Sequence, residues 1–407
     1  MKCGLLGRKL GHSYSPQIHS HLGEYSYTLF EREPEDVERF LKNGDFTAIN
    51  VTIPYKKTVM PYCHLTETAK YMGSVNTIVR QQDGTLLGHN TDYFGFTSLV
   101  QRSGLNPKGK KCLVLGSGGA SVTAVAVLKE MGANVVVISR SGENNYDNLH
   151  LHSDAAIICN TTPVGMYPNN GISPIDLKQF PKLEGVLDMI YNPTRTQLLL
   201  DAAELGLPHS NGLWMLVAQA KEAAEWFLGR KLTDDLIEAV YNKMRLQMEN
   251  IILIGMPGCG KSTVGKALAE ALGKQFVDAD EELVKTYGKS IPDIFAEEGE
   301  AGFRVKETAV LKELGKKSGL VIATGGGCAT KAENYPLLHQ NGTIFWLKRE
   351  LDLLPTDGRP LSQSQKLTEM YAKREPMYRS FADHIIDNNG NLTTTLEAIR
   401  QKLEDTL

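Results

Sequence analysis

The stretch NIILIGMPGCGKSTVGKALAEALG, residues Asn250–Gly273, decides the fold of the C-terminal part of the chain. NIILI is a short apolar run of the kind that is buried on both faces of a parallel sheet. GMPGCGKST follows at once and matches G-x-x-x-x-G-K-S/T over Gly255–Thr263. A helical pattern, VGKALAEALG, comes next. Strand, glycine-rich loop and helix in this order make a phosphate cradle from Gly258, Cys259, Gly260, Lys261, Ser262 and Thr263. Backbone amides hold the phosphates, Lys261 reaches the β and γ oxygens, and Ser262 ligates Mg²⁺. Cys259 reads as a small residue that fits the loop. No N-K-x-D follows, so a guanine-type GTPase is excluded.

Toward the N-terminus a second glycine turn, LVLGSGGAS at Leu113–Ser121, also lies between an apolar run and a helical one. Gly116, Ser117, Gly118, Gly119 and Ala120 allow the backbone to approach a pyrophosphate held at a helix N-terminus. Ser121 stands where the usual fingerprint has its third glycine. The next run, VVVIS, ends in Ser139, Arg140 and Ser141, without the acidic residue that would bind a ribose 2′-hydroxyl. A guanidinium matches phosphate geometry, so Arg140 favours NADP(H) over NAD.

At 407 residues the chain is too long for one core. Three segments differ in character. The first, to about residue 100, has strand-like pieces at 47–53 and 76–80 among loops rich in Ser, Thr, Asn and Pro, and reads as poor in core residues. The second, 101–212, alternates short β-branched runs with helical stretches, the signature of a parallel sheet. Helical patterns at Leu213–Leu228 and Asp234–Met248 are expected to pack back on the first segment. The third begins at Asn250 with no flexible linker and closes with a helix over 392–407.

Hydrophobic residues make up 42% and charged residues 22%, and the formal net charge is −3. That balance offers no basic stripe for nucleic acid and no polybasic membrane anchor. Six cysteines are scattered without metal-ligand spacing, and the histidines at 12, 19 and 21 have no cysteine or carboxylate at ligand spacing either. The N-terminus lacks a signal-peptide apolar region, and no stretch reaches the roughly 20 apolar residues that a span needs. The cytoplasm is the expected compartment, with no obligatory protein partner evident.

Polar clusters in the first half occur ahead of the dinucleotide turn in a telling order. GRKLGHSYSPQIHS (Gly7–Ser20) contains Ser13 and Ser15, and NVTIPYK (Asn50–Lys56) contains Thr52 and Lys56. GSVNT supplies Asn76, and GHNTD supplies Asn90 and Asp92. NTTPVGM, DMIYNP with Tyr191, and MLVAQA with Gln219 complete the set. Together they resemble the shikimate dehydrogenase family over almost all of residues 1–247. The resemblance implies Ser13 and Ser15 on a substrate carboxylate, and Thr52, Asn76, Asp92, Tyr191 and Gln219 around a small polyol ring. It implies Lys56 and Asp92 as the catalytic pair, since an alkoxide forming during hydride transfer needs a proton.

The C-terminal part resembles shikimate kinase. FVDADEEL carries Asp278 and Asp280, GKSIPDIFAEEGEAGFRVKE carries Arg304, and VIATGGG carries Gly325, Gly326 and Gly327. GRPL carries Arg359 and KREPMY carries Arg374. The resemblance implies Arg304 and Arg374 as a carboxylate clamp. Asp280 would orient or deprotonate the attacking hydroxyl, Asp278 would hold Mg²⁺ through water, and Arg359, on a lid, would face the transferring phosphoryl. The Glu350–Arg359 lid is shorter and less basic than in many relatives.

The expected architecture is α/β. A two-domain dehydrogenase, with an α/β substrate domain at 1–100 completed by helices 213–247 and a Rossmann-like NADP domain at 101–212, precedes a P-loop kinase with a parallel sheet at 250–407. The expected activities are reduction of 3-dehydroshikimate with NADPH and phosphorylation of shikimate with Mg-ATP. The alternatives are a quinate-preferring dehydrogenase on the same kinase, or a kinase half that only senses nucleotide. Fragments 1–247 and 248–407 are expected to fold separately.

Overall fold

Each of the β-branched runs becomes a strand, and the strands fall into three sheets in the computed structural model, which describes residues 1–11, 13–354 and 367–405. The chain divides into two compact units. One comprises Met1–Pro163, Pro174–Tyr191 and Asp201–Met244; the other comprises Val164–Ser173, Asn192–Leu200 and the chain from Arg245 onward.

The first unit holds two sheets. In the N-terminal one, Lys2–Gly7 lies between Ser26–Glu31 and Ala48–Val51, parallel to both, and Thr77–Arg80 and Leu86–His89 add antiparallel strands. Leu6, Leu41, Ile49, Val59 and Ile78 are fully buried in a core of its own. This corrects the expectation of a poor core. The apolar residues are scattered singly over short strands and helices, so they converge only when the sheet assembles. His19 sits against this sheet as a core ring, stacked on Tyr27 with centroids 4.1 Å apart, and burial pushes it down to about 3.

The other sheet of this unit is wholly parallel, in the order His209–Ser210, Gly185–Asp188, Ile157–Asn160, Lys111–Leu115, Asn134–Ile138. The order reverses beside Lys111–Leu115, so the carboxyl end of that strand is a topological switch point, where open α/β sheets bind ligands. Helix Leu213–Leu228 packs on helix Asp92–Arg102, as its apolar period predicts. A Cβ on Gly95 would lie 2.8 Å from Met215 O, so only glycine permits this approach. Trp214 Nε1 donates to Ser98 Oγ at 2.8 Å across the same seam.

The second unit is built on a five-stranded parallel sheet ordered Gln275–Asp278, Leu320–Ala323, Asn250–Ile254, Gly342–Lys348, His384–Asp387. The central strand Asn250–Ile254 feeds the glycine loop, so the loop opens at the carboxyl edge of the sheet. The joint is as short as the sequence indicates: one helix ends at Met248 and the strand begins at Asn250. Lys274 Nζ donates to Leu246 O at 2.7 Å and Glu249 O at 2.7 Å, satisfying carbonyls that the helix end leaves free. No helix of the described residues is long and apolar enough to cross a membrane.

Candidate active sites

In the first unit Ser13, Ser15, Thr52, Lys56, Asn76, Asp92, Tyr191 and Gln219 all line one cavity of about 500 Å³. Ser13 and Ser15 sit where the chain enters the helix Ser15–His19, and Ser13 Oγ accepts the Ser15 N–H at 3.2 Å. Thr52 and Lys56 follow the strand Ala48–Val51. Asp92 is the first residue of helix Asp92–Arg102, where the helix dipole favours a carboxylate. Lys56 Nζ donates to Asp92 Oδ2 at 2.6 Å, the two side chains being 30% and 16% exposed. The pair is thus screened from bulk water yet open to the cavity.

The amides behind this pair are held rigidly. Asn76 Oδ1 accepts the Thr91 N–H at 2.8 Å, and Thr91 Oγ1 donates to Gln219 Oε1 at 3.3 Å. Burial raises the Tyr191 phenol, which keeps it a neutral donor. Asn90 is placed otherwise: its Nδ2 bonds Ser74 O and Oγ, and its Oδ1 accepts the Tyr93 N–H, so it braces the loop.

The dinucleotide turn leaves the switch point. Gly116 has φ +105°, where a Cβ would also crowd Thr161 Oγ1 at 2.9 Å. Ser117, Gly118, Gly119 and Ala120 are exposed, and Cβ atoms on Gly118 or Gly119 would meet nothing, so the face over the helix N-terminus is open. The helix Gly119–Glu130 therefore presents unpaired amides to solvent, the donor set a pyrophosphate requires. Ser121 is 2% exposed and packs inward, so the missing third glycine costs the turn nothing on its ligand side. Ser139, Arg140 and Ser141 follow the neighbouring strand, with Arg140 exposed. Ala120 belongs both to the turn and to the first cavity, which places the open face beside the Lys56–Asp92 pair.

The second unit has a cavity of about 800 Å³ at the carboxyl edge of its sheet. Gly258, Gly260, Lys261, Ser262, Thr263, Asp278, Asp280, Arg304, Gly325, Gly326, Gly327 and Arg374 all line it. Lys261, 8% exposed, spans the loop by donating to Gly255 O and Met256 O at 3.0 Å each. The Cys259 side chain turns into the core while its carbonyl accepts from Asn388 Nδ2 at 2.6 Å, so any role in ligand binding falls to its backbone. Arg304 NH1 donates to Glu307 Oε2 at 2.7 Å, and Arg374 NH1 to Gly326 O at 3.1 Å. A Cβ on Gly327 would lie 2.1 Å from Arg304 NH2, and one on Gly325 2.6 Å from Glu307 Oε1. The glycine triplet is what lets backbone and buried charges share one wall.

Burial raises the Asp280 carboxyl above its ordinary range, and the charge of Asp278 adds to the effect. Ser262 Oγ donates to Asp278 Oδ2 at 2.7 Å, while Asp278 Oδ1 caps the Asp280 amide at 3.0 Å. A hydroxyl and a carboxylate side by side are the hard oxygen donors that Mg²⁺ takes, so these two residues fit that ion.

Comparison with known proteins accounts for both cavities. Residues 5–78 match the family profile described as shikimate dehydrogenase substrate binding domain. A shikimate dehydrogenase (NADP(+)) from Clostridium perfringens is 34% identical over 265 residues, 60% of this chain and 97% of the relative. The chain belongs to the shikimate dehydrogenase family. The corresponding enzyme from Caldicellulosiruptor bescii is 38% identical over 259 residues, covering 56% of this chain and 89% of the relative. Among solved structures, shikimate 5-dehydrogenase from Thermus thermophilus in complex with NADP(H) and shikimate has a TM-score of 0.55 at 28% identity, over 60% of this chain and 99% of that one. A chorismate mutase/shikimate 5-dehydrogenase fusion from Clostridium acetobutylicum gives 0.57 at 34%, over 60% and 96%. Residues 257–404 match the profile described as shikimate kinase, so dehydrogenase and kinase domains stand on one chain.

Some residues facing the two cavities escaped the sequence reading. Lys9 and Asn50 line the dehydrogenase cavity, and Asn50 Oδ1 is fixed by the Tyr27 hydroxyl at 2.7 Å. Asn50 opens the NVTIPYK motif, so the signal was there. Glu307, 2% exposed, closes the long kinase signature and holds Arg304. Arg349 follows strand Gly342–Lys348 and has no motif around it. Arg359 lies outside the described residues.

Proposed function

We propose that the chain catalyses two consecutive steps: NADPH-dependent reduction of 3-dehydroshikimate to shikimate, and Mg-ATP-dependent phosphorylation of that shikimate on its 3-hydroxyl. The observation that carries this reading is the convergence of eight motif residues from distant parts of the sequence on one cavity of a shikimate dehydrogenase. The second cavity of the same chain combines a phosphate loop with a buried arginine pair.

In the dehydrogenase, Ser13 and Ser15 bind the substrate carboxylate, and Thr52, Asn76, Tyr191 and Gln219 bind its hydroxyls. The Gly116–Ala120 turn and Ser139–Ser141 hold NADPH, Arg140 taking the 2′-phosphate. NADPH, when bound, supplies the hydride that converts the ring ketone into an alkoxide. The Lys56–Asp92 pair holds that oxygen and delivers a proton to it.

In the kinase, Arg304 and Arg374 clamp the carboxylate of shikimate, with Glu307 fixing the fork of Arg304. The Gly325–Gly327 backbone lies against the ring. Asp280 accepts the proton of the attacking hydroxyl, and its raised pKa makes it a better base. The loop amides and Lys261 stabilise charge on the transferring phosphoryl, to which Arg359 also contributes. Ser262 and Asp278 would hold Mg²⁺, which neutralises charge on the β and γ oxygens. Both substrates are small molecules; no nucleic acid or obligatory protein partner is needed, and the cytoplasm is the compartment.

The test is a pair of assays on the full chain. Shikimate-dependent NADP⁺ reduction and shikimate-dependent ADP release should both occur. ADP release indifferent to shikimate would leave the second unit a nucleotide sensor, and faster turnover of quinate would make the first a quinate dehydrogenase.

A further inference from the structure

We infer that the kinase unit is not complete in its own stretch of sequence: two straps, Val164–Ser173 and Asn192–Leu200, finish it, and the turn His339–Gly342 is the docking site for the second. Both straps lie within the dehydrogenase-like stretch, following on from its NTTPVGM and DMIYNP motifs, yet both cluster with the second unit.

The bonding is specific. Helix Asn334–His339 ends at the docking turn, leaving its last carbonyls without intrahelical partners. Arg195 takes them. Its backbone N–H donates to Gln340 O at 2.8 Å, and its NH1 to His339 O at 2.8 Å and Gly342 O at 3.3 Å. A guanidinium at a helix C-terminus also answers the negative end of the helix dipole. The Thr194 N–H donates to Asn341 Oδ1 at 2.7 Å. The first strap reaches the same turn, where Asn170 Nδ2 donates to Gln340 Oε1 at 2.7 Å, and the Tyr167 N–H joins it to the second strap at Asn192 O, 3.0 Å.

The receiving residues are part of the kinase framework. Asn341 is 1% exposed and serves two elements besides the strap, the central strand and the end of helix Ile291–Lys316. Its carbonyl accepts the Asn250 N–H at 2.7 Å, at the start of the central strand, and its Nδ2 donates to Gly315 O at 3.1 Å and Lys316 O at 3.2 Å. The next residue, Gly342, begins the strand whose far end leads to Arg349 in the kinase cavity. Within the strap, Thr196, just before the helix Gln197–Glu204, is 1% exposed. The fragment 248–407 lacks both straps and cannot be equivalent to the unit seen here.

The inference rests on packing alone and stands whatever reaction either cavity performs. Native-state hydrogen exchange of the full chain tests it, with Arg195→Ala and the milder Arg195→Lys. Arg195→Ala should reduce amide protection of 342–348 by about tenfold or more, the worth of a charged hydrogen-bond donor. Arg195→Lys, which keeps the charge and the backbone bond, should reduce it less and remain well folded. Protection of the dehydrogenase strand 111–115 should stay at its parental value in both. Unchanged protection of 342–348 in both variants would overturn the inference. So would an equal loss in 342–348 and 111–115, since Arg195 would then support the whole chain rather than the kinase unit.

Discussion

The two cavities recognise molecules of the same size by opposite means. In the dehydrogenase, one lysine and one aspartate are paired with each other and partly open to the cavity; the exposed Lys9 also lines it, and the other polar groups there are hydroxyls and amides. In the kinase, Lys261, Arg304, Glu307 and Arg374 are each less than a tenth exposed, and Arg304 and Glu307 crowd against backbone that only glycine allows. The chemistry explains the difference. Hydride transfer creates one negative charge on one oxygen, which a single donor pair can meet. Phosphoryl transfer gathers several negative charges, and cations held in a low-dielectric site answer them without reorganising. Burying those cations is costly unless each has a fixed partner, which is why Glu307 and the Gly326 carbonyl sit where they do.

The sharpest way to break this comparison is to disable one cavity and read the other. Lys56→Ala should lower the dehydrogenase rate by roughly 10²–10⁴ and leave shikimate-dependent ADP release near normal. Lys261→Ala should lower ADP release by roughly 10²–10³ and spare NADP⁺ reduction. Steady-state rates of both reactions in each folded variant give the answer, and loss of both reactions from either change would refute two independent sites.

A smaller effect follows from the crowding in the kinase wall. Gly327→Ala drives a methyl into Arg304 and should cost the kinase about 10²-fold in kcat/KM for shikimate, the scale of an ångström's misplacement. Gly327 and Arg304 both line the kinase cavity, so dehydrogenase kinetics serve as the internal control. On the other side, Arg140→Ala should weaken NADPH binding by about 1.5–3 kcal/mol, measured by fluorescence titration, with NADH use little changed.

The smallest expected effect concerns pH. As the proposed base, Asp280 has to be ionised to accept a proton, and its carboxyl lies above the ordinary range through burial and the Asp278 charge. The acid limb of the kinase kcat/KM profile should therefore lie above that of a free carboxylate. Asp278→Asn removes the neighbouring charge, so the residual activity should show that limb moved to lower pH. An unmoved limb would assign it to another group.

Much of this was legible in the sequence, for identifiable reasons. Glycine loops are local: Gly116–Gly119 and Gly255–Gly260 each lie between a strand and a helix, and short-range geometry decides them. Helix Leu213–Leu228 appears with the bounds its period suggests. The long-range facts were not legible. The core of the first segment is assembled from single apolar residues such as Leu41 and Val59. The straps contain MYPNNGIS and NPTRT, which read as loops because no period of 2 or 3.6 runs through them. Nothing in that composition says that Arg195 meets carbonyls more than a hundred residues away. Glu307 is hidden for a different reason, since a glutamate at the end of a helical motif rich in Glu and Lys looks like a solvated charge.

The central claim is that one chain performs both steps, and one measurement addresses it most directly. The full-length protein is given 3-dehydroshikimate, NADPH and Mg-ATP, and the products are identified by mass spectrometry against omission controls. The account predicts shikimate 3-phosphate with all components present, shikimate alone when ATP is omitted, and neither when NADPH is omitted. Shikimate accumulating unphosphorylated while Mg-ATP is present and bound would contradict it.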